Sequence, residues 1–445
     1  MVRKLALSLV LLAAAGGPAH AAVADETAFV LNSLLFLMSG FLVMWMAAGF
    51  CMLEAGLVRS KNVATMCLKN IMLFSIAGLM YFLVGYRLMY DGVDGGFLGS
   101  FASFAPSDGP LTGPQADFSA GYASASDWFF QMVFVATAAS IVSGTVAERV
   151  RLTAFFLFVA ILAGVIYPIQ GAWTWGSGLL ASDGFTAFAG AGFSDFAGST
   201  LVHAAGGWAA LTGAIILGPR LGRYDPRGRI RPMPGSSLPL ATLGTFILWL
   251  GWFGFNGGSQ LAMGSGADVA AIAKIFANTN MAAVGGTLAA AGLVHLRYRK
   301  TDLTIVLNGA LAGLVSITAE PLQPSLLGAV AIGAVGGALV VLFVPIFYRL
   351  RMDDVVGALS VHLVPGIWGT LAVPFSNADA TVLAQLAGIL ATALWVGLTS
   401  AAVWLTLKAT LGIRLSPEDE LQGGDQSELG MEAYPEFGRG SQFTT

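Results

Sequence analysis

Charged side chains are scarce in this sequence. Lysine, arginine, aspartate and glutamate together make up only 11% of the 445 residues, whereas 56% are apolar and the mean hydropathy is +0.76. Soluble domains carry about 25% charged residues, so the composition excludes a soluble globular protein and indicates a membrane protein. No stretch is long and polar enough to form a separate soluble catalytic domain.

Cysteine and catalytic signatures are scarce as well. The two cysteines, Cys51 and Cys67, cannot form a disulfide framework, and no Cys-x-x-Cys or histidine-rich spacing suggests a metal site. His-Glu-x-x-His and Gly-x-Ser-x-Gly are also absent. We therefore predict no cofactor and no enzymatic activity; a membrane enzyme is the alternative that no motif supports.

The N-terminus has the pattern of a secretory signal. Arg3 and Lys4 precede a short apolar core at 5–15, and Ala19-His20-Ala21 offers a small-x-small cleavage site. The core is too short to span a bilayer, although an uncleaved first helix is the alternative. We predict a signal peptide at 1–21, a membrane domain at 22–408 and a C-terminal tail at 409–445.

Long apolar runs fill the middle of the chain. Windows of about 20 residues predict an all-α polytopic membrane protein with eleven transmembrane helices. The predicted spans are 29–57, 67–90, 127–147, 152–174, 199–218, 237–257, 268–293, 303–319, 325–349, 355–375 and 381–407.

Basic residues set the predicted orientation. In an eleven-span arrangement, the lysines and arginines that follow the signal lie on one side of the membrane. The exceptions are Arg87 and Lys274, which fall on or toward the other side. Positive residues concentrate in cytoplasmic loops, so the N-terminus is predicted outside and the C-terminus inside. Eleven spans divide into two five-span halves and one extra helix, and an odd number of spans makes the halves inverted, as in many transporters.

Two histidines lie alone in strongly apolar stretches. His203 and His362 each fall in the fifth span of a half, and each precedes a glycine, Gly207 or Gly366, by four residues. An ionisable group at membrane depth faces a bundle interior or a pathway. Their matching positions favour a pore-lining pair of neutral imidazoles; hydrogen bonds that hold two spans together are the alternative.

Aromatic and polar residues alternate at the outer ends of several spans. An interfacial aromatic belt and, for Asp195, a helix N-cap are the ordinary interpretations. Aromatic faces with an oxygen acceptor also form a site for a small cation, and a carboxylate beneath them adds negative potential. The residues concerned are Phe130, Gln131, Phe134, Trp175, Asp195, Phe255 and Ser259.

Several motifs together resemble the ammonium transporter (Amt/Mep/Rh) family, and its bacterial Amt branch most. They extend along almost the whole chain after the signal, and their order makes the resemblance specific. The matching segments are Leu53-Glu54-Ala55-Gly56-Leu57-Val58-Arg59-Ser60-Lys61-Asn62, Ala147-Glu148-Arg149, 195–203, 252–259, 308–315 and Val361-His362.

The resemblance implies a role for each matching residue. Trp175, Phe130, Phe134 and Ser259 would recruit ammonium outside, with Asp195 as the essential aspartate. The stacked rings of Phe134 and Phe255 would close the pore mouth, and His203 and His362 would form the twin-histidine pore. The implied assembly is a homotrimer with one pore per subunit.

Three departures from the family pattern stand out. Leu363-Val364-Pro365 follows His362 where glycine is common, and a glycine- and phenylalanine-rich stretch at 182–194 has no assigned role. Leu429 occupies a histidine position of the tail segment at 428–434, which in the family supports regulation by a PII-type signal protein.

The sequence therefore predicts an ammonium transporter of the bacterial inner membrane, serving nitrogen metabolism, with methylammonium as a substrate analogue and no nucleic-acid partner. It would deprotonate ammonium at the mouth and conduct ammonia, with or without a separately relayed proton. A channel for water, urea or carbon dioxide and an ammonium sensor that signals through its tail are the alternatives.

Overall fold

The computed structural model describes residues 24–437, and the regular secondary structure in this range is helical. Within this range, β-pairing is confined to the isolated bridges Val150–Arg414 and Tyr224–Ile230. The predicted signal peptide at 1–21 and the last eight residues lie outside the described residues. The main helical segments are α1 Asp25–Leu57, α2 Ser60–Tyr90, α3 Ser124–Thr145, α4 Leu152–Ala172, α5 Ser199–Leu217, α6 Leu238–Gly258, α7 Gly266–Tyr298, α8 Leu303–Ile317, α9 Leu326–Arg349, α10 Leu359–Phe375 and α11 Val382–Thr410.

The prediction of an all-α membrane protein is confirmed. Of the helices in the described part of the chain, eight are long and apolar enough to cross a membrane. The helices α8 and α10 are apolar but shorter, and α7 is long but less apolar. Large apolar side chains such as Leu327 on α9 and Leu398 on α11 are 77% and 68% exposed, as expected of helices that face lipid. The number of crossings remains a prediction.

The helices pack so that corresponding members of the two predicted halves meet. Helix α1 packs along α6, and the start of α5 packs against α10. Around them, α3 contacts both α1 and α5, while α7, α8 and α9 pack against one another. The segments that carry the two histidines therefore lie side by side in the interior of the bundle.

One end of the bundle, which we call the tail face, carries the loops at 58–62, 146–151, 218–237 and 350–358 together with residues 411–437. Buried ion pairs join these loops. Arg220 Nε and Nη1 donate to Asp353 Oδ2 at 2.7 Å and to Glu148 Oε1 at 2.8 Å, and Arg59 Nε donates to the second oxygen of Glu148 at 2.5 Å. Burial alone would raise the pKa of Asp353, but the bonds from Arg220 outweigh burial and hold that pKa below its usual range. Arg220 thus links three loops.

The C-terminal tail packs onto the same face. Glu420 accepts a hydrogen bond from the backbone N–H of Leu221 at 2.6 Å and pairs with Arg414 at 2.7 Å. Asp425 accepts from the N–H groups of Ala64 and Thr65 at the start of α2. Leu429 lines an apolar groove beside α1 and α2, so an apolar side chain suits the position.

We expect Arg220→Met to destabilise the protein by about 3 kcal/mol or more, because it leaves the buried carboxylates of Glu148 and Asp353 without their shared cation. Thermal unfolding of the purified protein in detergent measures the change. Arg229→Ala is the control, since the side chain of Arg229 is 72% exposed where it pairs with Asp225. Equal unfolding temperatures for wild type and Arg220→Met would contradict the role given to Arg220.

Candidate functional site

An open pocket lies at the end of the bundle opposite the tail face, and we call it the outer pocket. Its volume is about 400 Å³. The predicted residues Phe130, Phe134, Trp175 and Ser259 all line it, whereas Asp195 does not. Its complete lining is Phe36, Tyr86, Tyr90, Tyr122, Asp127, Phe130, Gln131, Phe134, Trp175, Phe196, Ser259 and Leu261.

Aromatic rings and one hydroxyl form the inner wall of the outer pocket. Phe130 and Phe134 meet edge to face at 4.8 Å between ring centroids, and Phe134 meets Trp175 in the same way at 6.2 Å. The hydroxyl of Ser259 donates to the carbonyl of Phe255 at 2.8 Å, so its oxygen remains able to accept a hydrogen bond. The arrangement suits a small cation with N–H donors.

Two phenylalanine rings close the bottom of the outer pocket. Phe134 and Phe255 stack with 4.1 Å between centroids and 27° between planes, and both side chains are buried. Behind them, Phe255 stacks on His203 at 5.3 Å. The planar groups therefore follow one another from the outer pocket toward the interior, in the order Phe134, Phe255, His203 and His362.

The two histidines lie next to each other in the bundle core. Their rings are 5.2 Å apart and inclined by 22°, so they face each other, and no hydrogen bond joins them. Both nitrogens of His203 and Nδ1 of His362 have no hydrogen-bond partner within residues 24–437. Histidines that hold two helices together would be hydrogen-bonded, and a buried polar group without a partner is costly. The geometry therefore favours the pathway interpretation over the helix-linking one.

Asp195 holds the start of α5 through its backbone. Its Oδ1 accepts from the N–H groups of Gly198 and Ser199, and its Oδ2 accepts from Thr200 and Leu201, all between 2.8 and 3.1 Å. The backbone carbonyl of Asp195 accepts from Trp175 Nε1 at 3.0 Å. Asp195 thus combines a cap with a fixed negative charge near the outer pocket, and it positions Trp175 without lining the pocket itself.

Asp354 occupies the corresponding place in the second half, and the sequence prediction missed it. Its carboxylate accepts from the N–H groups of Ala358 and Leu359 and from the Thr145 hydroxyl. Each aspartate precedes its histidine by eight residues, and this spacing is a signal that the sequence contains. Both histidines also lie in short π-helical segments, Ser199–Ala204 and Leu359–Leu363, which are frequent at functional sites.

The glycines four residues after each histidine allow the two segments to approach. A Cβ at Gly207 would lie 2.7 Å from Leu363 Cβ, and a Cβ at Gly366 would lie 3.1 Å from the backbone nitrogen of Ala204. Each glycine therefore contacts the residue that follows the other histidine. Leu363, the departure from the family pattern, fits because its side chain joins the apolar core beside α5.

A second residue that sequence analysis missed is Asp127, in the first turn of α3. It lines the outer pocket, is 6% exposed, and accepts hydrogen bonds from Tyr86 Oη at 2.5 Å and from Gln131 Nε2 at 3.2 Å. Both partners are neutral, so they leave its negative charge uncompensated. In the sequence it resembles an ordinary acidic residue at a helix N-terminus.

The unassigned stretch at 182–194 and the isolated Lys274 lie outside this path. The stretch at 182–194 contains a short helix, Asp183–Ala189, and attaches to α11, since the carbonyl of Ala189 accepts from Thr381 Oγ1 at 2.6 Å. Lys274 on α7 lies near the carbonyl of Gln323, at 3.4 Å. Both contacts explain local packing.

The fold and site define a membrane transporter, and comparison with known proteins agrees. The model of the Ammonium Transporter Family matches residues 34–434. Ammonium transporter Amt2 of Archaeoglobus fulgidus is 39% identical over 453 residues, covering 96% of this chain and 94% of its own length. A putative ammonium transporter of Synechocystis is 39% identical and covers 92% of this chain and 91% of its own length.

Solved structures give the same result. A protein described as a sensor Amt protein superposes with a TM-score of 0.79 at 34% identity, covering 90% of this chain and 98% of its own. Mep2 of Candida albicans superposes with a TM-score of 0.73 at 26% identity, covering 87% and 86%. The chain belongs to the ammonium transporter family, which is a family of transporters and not of enzymes.

We expect Asp195→Asn to lower stability by about 1–3 kcal/mol and to abolish ammonium uptake. An amide has only one acceptor oxygen, so some of the four N–H groups at the start of α5 lose their partner. Thermal unfolding and uptake of labelled methylammonium measure the two effects. Asp183→Asn, an exposed aspartate at a helix start, is the control. Wild-type values for Asp195→Asn in both assays would show that neither its charge nor its second oxygen matters.

Proposed function

We propose that this protein moves ammonium across the membrane through a pore between the outer pocket and the tail face. The observation that carries the proposal is the pair of buried histidines at the end of an aromatic path, where both nitrogens of His203 and Nδ1 of His362 have no partner within residues 24–437. Such nitrogens can donate to and accept from a small guest, as neutral imidazole does. Ammonia has both kinds of site.

Recruitment would take place in the outer pocket. Trp175, Phe130 and Phe134 offer aromatic edges and faces, and Ser259 offers an oxygen. Cation–π attraction is strongest where water is partly excluded. The negative charges of Asp127, in the wall, and Asp195, behind it, would raise the local concentration of cations.

Deprotonation would then precede entry into the pore. Carrying an intact ammonium ion through an apolar pore costs many kcal/mol in lost hydration. Ammonia avoids this cost, passes the stacked rings of Phe134 and Phe255, and binds at His203 and His362. Potassium cannot lose a proton and is therefore rejected. Whether the released proton follows through the histidines distinguishes electrogenic transport from net ammonia conduction.

The topology we propose has eleven crossings in two inverted five-helix halves and one extra helix. Two observations support it. The first helices of the two halves, α1 and α6, pack together, and so do the fifth helices, α5 and α10. The basic residues are gathered on the tail face. We propose a cleaved signal peptide at 1–21, a membrane domain at 22–408 with the N-terminus outside, and a cytoplasmic tail at 409–445 in the bacterial inner membrane.

We also propose assembly and regulation by analogy with the family. The homotrimer would cover part of the exposed apolar surface of the helices, and the docked tail would be the site at which a PII-type protein acts in nitrogen metabolism. Leu429 fits the groove between tail and bundle, which supports a tail that stays docked without the family's histidine.

Ammonium sensing is a second candidate, favoured by the likeness to the sensor Amt protein. A sensor need not conduct. Growth of a transporter-deficient bacterial strain on limiting ammonium separates the two functions, because only conduction restores growth.

We expect Asp127→Asn to raise the ammonium concentration that gives half-maximal uptake by roughly 3- to 10-fold, which corresponds to about 1 kcal/mol, with little change in maximal rate. The reason is the loss of an uncompensated charge in the wall of the outer pocket. Asp94→Asn removes an exposed carboxylate on the same side and serves as the control. A shift of equal size in both variants would assign the effect to general surface charge.

The histidine pair gives the decisive test. We expect His203→Ala and His362→Ala each to abolish or strongly reduce ammonium uptake and current, with near-normal thermal unfolding, because both nitrogens of His203 and Nδ1 of His362 make no hydrogen bond within residues 24–437. The double variant should be no worse than the single ones, since residues that act together have non-additive effects. His295→Ala, at the exposed end of α7, is the control. Additive, mild losses of transport combined with lower stability would instead identify the pair as structural.

A further inference from the structure

A second, small cavity lies on the tail-face side of His362, and we call it the inner cavity. The space in it that a water-sized molecule can occupy is about 10 Å³, which is enough for one such molecule. His362, Glu54 and Asn308 contribute its polar side chains together with Ser140. The other lining residues are Phe50, Leu53, Ile141, Gly144, Leu311, Val356, Ala358 and Val361.

Two residues that line this cavity each carry a buried oxygen atom without a hydrogen-bond partner within residues 24–437. The two atoms are Oε1 of Glu54 and Oδ1 of Asn308, on residues that are 1% and 5% exposed. An amide oxygen only accepts hydrogen bonds, and so does the oxygen of an ionised glutamate. Only a molecule with N–H or O–H groups, or a cation, can therefore satisfy them. Leaving both unsatisfied would cost several kcal/mol, and the cost would be largest for the carboxylate.

The remaining atoms of the two side chains are held in place. Glu54 Oε2 accepts from Asn70 Nδ2 and from Ser143 Oγ, each at 2.8 Å. Asn308 Nδ2 donates to the carbonyl of Val356 at 3.1 Å. These bonds involve Glu54 Oε2 and Asn308 Nδ2, so Glu54 Oε1 and Asn308 Oδ1 remain without a partner. The hydrogen bonds to the other atom of each group hold these two oxygens in place.

The wall of the inner cavity beside Glu54 depends on a glycine. A Cβ at Gly144 would lie 3.2 Å from Glu54 Oε1 and would collide with the side chain of Val356. Any larger residue would have to displace one of these side chains. Gly144, which also lines the cavity, therefore lets both groups pack closely against α3.

The nearest buried cation does not neutralise Glu54 by contact. Lys69 Nζ donates to the carbonyl of Ser143 at 2.8 Å and lies 4.9 Å from the ring of Phe155. Within residues 24–437 it forms no ion pair with Glu54. A small cation in the inner cavity would therefore find the carboxylate available.

We propose that Glu54 and Asn308 form a binding site for one ammonium ion at the tail-face end of the pore, with the carboxylate as its charged ligand. The inference rests on the proposed function, since it places a second cation site beyond the histidines. Ammonium fits because its four N–H groups can satisfy both oxygens at once. The site would favour the protonated form at this end of the pore, as the outer pocket does at the other.

Transport from each side of the membrane tests the site. Inside-out and right-side-out vesicles, distinguished by protease access to the tail, expose opposite ends of the pore to isotope-labelled ammonium. For Glu54→Gln we expect the half-saturating concentration to rise at least roughly tenfold when uptake starts from the tail-face side, and less than about twofold from the other side. Glu320→Gln is the control, because this buried glutamate has partners on both oxygens and lies outside both pockets.

Equal shifts from the two sides, or no shift, would overturn the inference while leaving the transport function intact. If wild-type vesicles transport from neither side, the proposed function fails, and a binding measurement decides about the site. Thallium(I) has nearly the radius of ammonium and scatters X-rays anomalously. We expect an anomalous peak between Glu54 Oε1 and Asn308 Oδ1 in crystals of the wild-type protein grown with thallium(I), and none in Glu54→Gln. Absence of the peak in wild type would refute the site.

Discussion

Two buried carboxylates, Asp195 and Asp354, hold the beginnings of the helical segments that carry the histidines. A helix start leaves several backbone N–H groups without partners, and at membrane depth no water is available to satisfy them. Each aspartate supplies the missing acceptors, and the two carboxylate oxygens of Asp195 accept four such hydrogen bonds. Without these bonds, the two helical segments could not begin inside the bundle without leaving backbone N–H groups unsatisfied. The histidines would then not lie opposite each other.

The rest of the path follows from this arrangement. Helices α5 and α10 bring His203 and His362 together, and the glycines at 207 and 366 let their backbones meet. Helix α6 then places Phe255 over His203, and α3 places Phe134 over Phe255. Within the described residues, the histidines and the lining of the inner cavity carry polar atoms without protein partners, whereas the carboxylates of Asp195 and Asp354 each accept several bonds.

Much of this organisation could be predicted from the sequence, because long apolar runs and isolated histidines are strong local signals. Phe255 was also recognisable, because it lies in a motif that resembles the family, and Phe134 was recognisable from the role that the resemblance implies for it. Asp354 was recognisable in principle from its eight-residue distance to His362. Asp127 was not, because its importance depends on Tyr86 from another helix and on the shape of the outer pocket. Glu54 belonged to a recognised motif, but a free oxygen becomes visible only when every neighbouring donor has been located.

The π-helical turns at the histidines have a geometric consequence. A π-turn holds one more residue than the α-helical turn it replaces, and one residue corresponds to about 100° of rotation around a helix axis. The direction of each imidazole therefore depends on the length of the chain between Asp195 and Gly207, or between Asp354 and Gly366, as well as on the residue at the position. Relatives that keep both histidines but change either distance by one residue would turn the ring away from the path.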